Sequence, residues 1–376
     1  MKINLTKIDK IIICVSFSVL LVGSLFFGGV IKPDFSEELP ILTNGKNIRV
    51  ALTVQAFDSN GNLKAERCKD DDLVLTNWGE YWSIVFSDTQ GLLTNTAGVD
   101  SQNIFGRYIE VVGLWEGTST ADGGHIAIGT DDTAPQASDY ALGLIKEDYT
   151  PLQLWSYANG NVTFSTTITV SDTYDCKEAG FFQEINLVDV MFFHDTFSPI
   201  SVVSSDTVVI TYTVVLSEEF TDNFGRLLES WVAPVDDEEA SQTQWFIDDG
   251  ENNITVTTKS GLSTEPTVWM LDTTVTLPYS GIKIGTGTTS PARDDFNIET
   301  EVESIHDVIA GYVGANTTIS AHFIVTLDRE ITEAGFFMEF FDNTSASRGV
   351  MMWRETFTAE SVTEGNVCAI TFTMFP

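Results

Sequence analysis

The side chains of this sequence that could do chemistry are mainly oxygen donors. Asp131 and Asp132 in "TDD", and Asp248 and Asp249 in "DDGENN", put adjacent carboxylates in turn-like stretches. These are the hard ligands that Ca²⁺ takes, although neither run follows EF-hand spacing. "DSNGN" at Asp58 mimics the start of such a loop and reads better as a hairpin turn. Calcium is thus the one cofactor the sequence admits, with those four aspartates as candidate ligands, while solvated turns share the same composition. Four histidines, His125, His194, His306 and His322, show no H-x-x-x-H or H-E-x-x-H spacing. His194 and His322 fall in strand-like runs. There is no G-x-S-x-G elbow, and carboxylate pairs without a defined cleft do not make a glycosidase. No catalytic residue is assigned, and the chain reads as non-enzymatic.

Two covalent features can be read in addition. N-x-S/T sequons at Asn161, Asn253, Asn316 and Asn343 are candidate glycosylation sites of an exported protein. Four cysteines are too few for a disulfide scaffold. Cys68 and Cys176 fall in the first half and form the candidate disulfide pair, which leaves Cys368 alone and Cys14 in the apolar N-terminal run.

The elements that position these groups begin with that run. Residues 1–10 are basic, and residues 11–31 are uncharged and apolar. Twenty-one residues at about 1.5 Å each span a hydrocarbon core of about 30 Å. The expectation is a transmembrane anchor, with a cleaved signal peptide as the alternative. Lysines before the run place the N-terminus in the cytoplasm and the body outside. Residues 32–45 form a linker. With 54 Asp+Glu against 19 Lys+Arg, the net charge is −35, which repels phosphate backbones and argues against nucleic acid as a partner.

Beyond the linker, the pattern becomes period-2 alternation of Val, Ile, Thr and aromatics, as in "IRVALTVQAF" and "VVITYTVVL". Asn60-Gly61 predicts a hairpin with a type I′ turn. Short helices are expected near Trp78–Ser87 and Phe224–Ala233. Four blocks then recur in order. Asn77 and Gly79 match Asn223 and Gly225, and Ile126–Leu142 matches Ile282–Ile298. "EAGFF" occurs at Glu178–Phe182 and Glu333–Phe337, and His194–Val214 matches Arg354–Met374. In each EAGFF the glycine permits a bend or a close approach. The two Phe rings of a strand point to opposite faces, so one enters the core and the other covers a neighbouring surface. "IGTGTT" at Ile284–Thr289 has the composition of a phosphate-cradling loop but lacks Gly-Lys-Ser/Thr, and it reads as a strand-ending turn.

These blocks resemble the β-sandwich repeats of bacteriophage and archaeal-virus virion proteins, from about residue 46 to the end. Asp131 in place of Gly, and His194 in place of Arg, depart from that pattern. The resemblance implies a structural surface role and carries no catalytic residues. The expected fold is all-β: two tandem antiparallel β-sandwiches, jelly-roll or immunoglobulin-like, at residues 46–216 and 217–376, packed as a semi-rigid rod. The expected protein is a membrane-anchored structural component of a virion or cell surface. Its expected partners are the membrane, through residues 11–31, and either further copies of itself or other surface proteins. A second class is an adhesin binding glycan or calcium, with Trp115, Trp155, Trp245 and Trp269 as candidate contact residues. An exported hydrolase is the third.

Overall fold

The computed structural model describes residues 47–70, 73–87, 90–98, 100–105, 124–185, 188–232, 242–246, 253–257, 281–305, 308–324, 326–341, 347–365 and 367–376. The expected anchor and linker lie outside these residues. Among the described residues, no helix is long and apolar enough to cross a membrane.

The structure is mostly β, arranged in antiparallel sheets. The first copy opens with strands β1 (Ile48–Phe57), β2 (Leu63–Lys69) and β3 (Leu73–Val74), then helix α1 (Thr76–Ser87) and the hairpin β4 (Gln90–Thr94) and β5 (Asp100–Phe105). It continues with β6 (Gly124–Gly129), β7 (Ile145–Pro151), β8 (Leu154–Ala158), β9 (Asn161–Thr169), β10 (Tyr174–Ile185), β11 (Val188–Val202) and β12 (Thr207–Leu216). The second copy repeats this from the helix onward: α2 (Asp222–Val232), then β13 (Gln242–Phe246) and β14 (Asn253–Thr257). There follow β15 (Gly281–Gly285), β16 (Glu301–Ile305), β17 (Ile309–Val313), β18 (Asn316–Ile324), β19 (Arg329–Phe341), β20 (Ser347–Val362) and β21 (Val367–Met374).

In the first copy the sheets run β2-β1-β12-β9-β8 and β3-β11-β10-β6-β7; in the second they run β17-β18-β21 and β16-β15-β19-β20. The repeat holds at the level of register. Glu178 pairs with Gly129 and Glu333 with Gly285. Irregularities in the long hairpins fall between Phe181 and Phe182 and between Phe336 and Phe337. The β1–β2 hairpin has no counterpart among the described residues of the second copy. Its turn is also not type I′, because only Gly61 has positive φ (81°). Asp58 wins instead: its Oδ1 accepts the N–H groups of Asn60 and Asn62, an Asx-type turn. Asn159-Gly160, between β8 and β9, is the Asn-Gly pair with two positive φ values, 49° and 77°.

The helices cross between copies. α1 lies on β17 and β18 of the second copy, and α2 lies on β8 and β9 of the first. Close approach at each seat needs the glycine that the repeat preserves. A Cβ on Gly79 would strike the backbone of Gly314 and Ala315, and one on Gly225 would strike the Tyr157 ring. Thr317 Oγ1 donates to Gly79 O (3.2 Å) on one side, and Tyr157 Oη donates to Asp222 Oδ1 (2.6 Å) on the other. Aromatic rings complete the join. Trp231 of α2 packs on Trp78, Phe181 and Phe192 of the first copy at 5.4, 5.5 and 5.0 Å, and Phe86 of α1 meets Phe336 at 5.2 Å. One apolar core therefore runs through both copies, which form an interlocked pair.

Candidate functional site

EAGFF explains itself once placed on its strand. Positions 178, 180 and 182 share one face of β10, and 179 and 181 share the other. Phe181 faces the main core beside Phe164 (4.7 Å) and Phe193 (5.4 Å). Phe182 faces outward into a small separate cluster with Leu75, Ala127, Leu142 and Met191. Leu142 belongs to the loop after β6, so the second Phe holds that loop by apolar contact. Gly180 leaves the space into which Leu142 and Met191 pack. In the second copy Phe337 meets Ile298 and Met351 in the same way.

The glutamate holds the same loop by polar contact. Glu178 is fully buried, and its carboxylate accepts the N–H groups of Asp131 (3.0 Å), Gly143 (2.9 Å) and Leu144 (3.0 Å). Glu333, equally buried, accepts those of Gly287 (2.8 Å), Glu299 (2.9 Å) and Thr300 (2.9 Å). The glycine- and threonine-rich loop does cradle an anion, and that anion is the protein's own side chain. Gly129 and Gly285 are required beneath it, since a Cβ at either position would collide with the carboxylate.

A basic residue closes each cluster. Arg354, 3% exposed, donates from Nε and Nη2 to Glu333 Oε2 (3.2 and 3.0 Å) and from Nη1 to Asp295 Oδ2 (2.6 Å). His194 takes its place in the first copy. Its Nδ1 donates to Asp139 Oδ2 (2.9 Å), and its Nε2 lies 3.3 Å from Glu178 Oε2. Burial alone pushes both glutamates up. For Glu178 the His194 contact and three backbone N–H groups outweigh it, and for Glu333 three backbone N–H groups and Arg354 do so. Both carboxyls are held below the usual range. Burial pushes Arg354 down, but its bonds to Asp295 and Glu333 prevail and its pKa is raised.

Asp131, the apparent departure from the repeat, is half of an exchange. In the first copy Asp131 Oδ1 accepts from Thr133 N and Oγ1 (3.0 and 2.9 Å), opposite Gly143. In the second, Gly287 occupies the Asp131 position. Glu299, at the Gly143 position, accepts from the equivalent Thr289 N and Oγ1 (3.1 and 2.8 Å). A side chain at both positions would clash, because a Cβ on Gly143 would collide with Asp131 and one on Gly287 with Glu299. One carboxylate steadies the turn from either side.

The calcium candidates do not converge. Asp131 is engaged by Thr133, and Asp132 pairs with Lys177 (3.0 Å). Asp248 and Asp249 lie outside the described residues. Among the described residues, no group of three or more His, Cys, Asp or Glu is placed to hold a metal. Cys68 and Cys176 form no disulfide: Cys68 is exposed on edge strand β2, whereas Cys176 is sealed in the core on β10, its thiol pushed by burial up to about 12. The expected bridge is absent because the two cysteines sit on different sheets, one outside and one inside. Asn161 and Asn316 open β9 and β18 and are half-buried, with the Asn161 amide turned to Asn159 O (3.3 Å). Asn253 lies in β14, and Asn343 lies outside the described residues. His125 is buried beside Asp189 (2.9 Å), His322 is exposed on β18, and His306 is outside the described residues. Trp155 packs half-buried against the main core and Trp245 lies in β13, while Trp115 and Trp269 fall outside.

The role of the EAGFF glutamate does not follow from the phenylalanines beside it. A buried-strand position that keeps Glu in both copies was the available signal. Asn77 and Asn223 have a related role, as each amide donates to a buried methionine carbonyl, Met191 O (3.0 Å) and Met351 O (3.2 Å), and ties its helix to its own long strand. The arrangement locks loops. Comparison with known protein families, curated proteins and solved structures finds no match.

Proposed function

We propose that this chain is a non-enzymatic, exported structural protein of a virion or cell surface, anchored by residues 11–31 and built from two repeated β-sandwiches of jelly-roll or immunoglobulin-like form. One observation carries the reading: the carboxylates of the repeated motif, Glu178 and Glu333, are sealed inside and bind the protein's own loops. The chemistry of the repeated motif is turned to rigidity. The apolar 21-residue run supports the anchor, and the acidic composition suits an exposed body. The likeness of the four sequence blocks to virion repeats supports the structural role.

The reading is tested on the source cells or particles. Antibody to the body should label intact surfaces in electron micrographs, external protease should remove the epitope, and carbonate washing should leave the protein with the membrane. A chain recovered in the soluble interior ends this reading, and saturable capture of one glycan would replace it with an adhesin.

A further inference from the structure

We propose that strand β21 is a pairing edge through which two copies of this chain join their sheets about a two-fold axis. The proposal names the partner within the structural reading above and rests on that reading only for its biological setting.

The two copies of the repeat treat the same strand differently. In the first, β12 is flanked by β9 and by β1, whose register runs antiparallel from Ile48↔Leu216 to Phe57↔Thr207. The equivalent strand β21 pairs with β18 alone among the described residues. The core beneath reflects this. Val208 and Ile210 are 0% exposed under β1, whereas their counterparts Cys368 and Ile370 remain half-buried. The site is a core with one strand missing, and β1 displays what fills it: an antiparallel strand with apolar side chains at alternate positions.

The backbone direction of the open edge is fixed by Asn47. Its Nδ2 donates to Thr373 O (2.8 Å) and its Oδ1 accepts from Phe375 N (2.7 Å), so the side chain imitates a neighbouring strand at the end of β21. Alternate residues of a strand face opposite neighbours. Thr373 and Phe375 face away from β18, and so do Val367, Ala369 and Thr371. Asn47 satisfies the last positions, and among the described residues no strand pairs with these three.

In the four larger sheets the other edges are blunted, β3 by being only two residues long. β2, β7 and β16 carry charged residues, β8 and β17 lie under the helices, and Phe220 bridges to Trp353 on β20. β21, "VCAITFTM", has no charge, no proline and no bulge in a chain of net charge −35. Copies of such a chain repel one another elsewhere, and here they do not. β21 also meets the specification that β1 sets, with Cys368, Ile370, Phe372 and Met374 on the inner face and Ala369, Thr371 and Thr373 on the outer. Using all three open positions places the axis at Ala369, so Ala369 faces its own copy and Cys368 faces Ile370 of the second. Each half-open core is then closed by the other.

The test measures the mass of the full chain in detergent by sedimentation and native mass spectrometry near 10 μM. The wild type should be a dimer. Ala369→Pro removes only an outward N–H, costs no bond to β18, and should weaken dimerisation at least tenfold. Ala369→Lys and Ala369→Glu should each be monomeric through like charges at the axis, and an equimolar mixture should recover the dimer. Circular dichroism checks that the variants are folded. A monomeric wild type, or dimers that survive both charge variants, would overturn the pairing. Either result leaves the surface-labelling experiment to judge the structural role by itself.

Discussion

Replacing Glu333 with Gln removes one charge and one acceptor from a closed site. Oε1 accepts from Gly287 N and Thr300 N at 2.8 and 2.9 Å, and Oε2 accepts from Glu299 N and twice from Arg354. An amide keeps only one of these oxygens, so its nitrogen must face donors on the other side. Each hydrogen bond to a charged group is worth about 1.5–3 kcal/mol, and breaking a buried ion pair by removing one partner costs about 3–5 kcal/mol. With two of the three Oε2 donors rehydrating only in part, the expected loss at pH 7 is about 3–5 kcal/mol. Urea unfolding should report it as a lower midpoint at unchanged slope. The sign of the pH dependence follows from the depressed carboxyl. The wild-type advantage is complete above the unfolded value of about 4.3 and is lost as pH falls through the lower folded value. The two unfolding curves should therefore converge in acid. A loss under about 1 kcal/mol, or a gap that widens on acidification, would refute the view that Glu333 anchors the loop as an ion.

The Asp131/Gly143 exchange predicts strong coupling: Asp131→Gly and Gly143→Glu should each lower the thermal midpoint, and the double variant should be more stable than their sum. Additive losses in a double-mutant cycle would count against the exchange. His194→Arg should raise the midpoint at pH 8, because Glu178 and Asp139 already occupy the places that Glu333 and Asp295 hold around Arg354; a lower midpoint would mean that the first cluster is shaped for imidazole. Trp231→Ala should cost about 3–5 kcal/mol and, by hydrogen exchange, loosen Phe181 and Phe192 of the other copy. Loosening confined to the second copy would contradict the shared core.

Much of the architecture was legible because it rests on local pattern. Period-2 alternation marked "IRVALTVQAF" and "VVITYTVVL" as strands, and glycine with asparagine marked both helix starts to within two residues. Four blocks with nearly constant spacing revealed the repeat. What escaped was non-local. No local feature of "WGEYWSIVFS" states that it will lie on strands more than two hundred positions later, since its apolar face would suit either seat. The role of Glu178 and Glu333 was hidden because acidic residues are abundant, and burial, not identity, sets these two apart. Asp131 looked like drift until Gly143 and Glu299 were brought beside it. The Asn60-Gly61 turn differed because Asp58, two positions upstream, offered the backbone a stronger acceptor.

The reciprocal seating of α1 and α2 bears on ancestry. A polypeptide carrying one repeat would fold with its helix unseated and its sheet uncovered, and a second molecule of the same kind would cure both defects at once. Such a forerunner is a two-chain assembly by necessity, with each chain lending an arm to its twin. Joining the end of one chain to the start of the other by "SEEFT" makes that partnership permanent and concentration-independent. It also frees the two halves to diverge, as imidazole has diverged from guanidinium beside the buried glutamates.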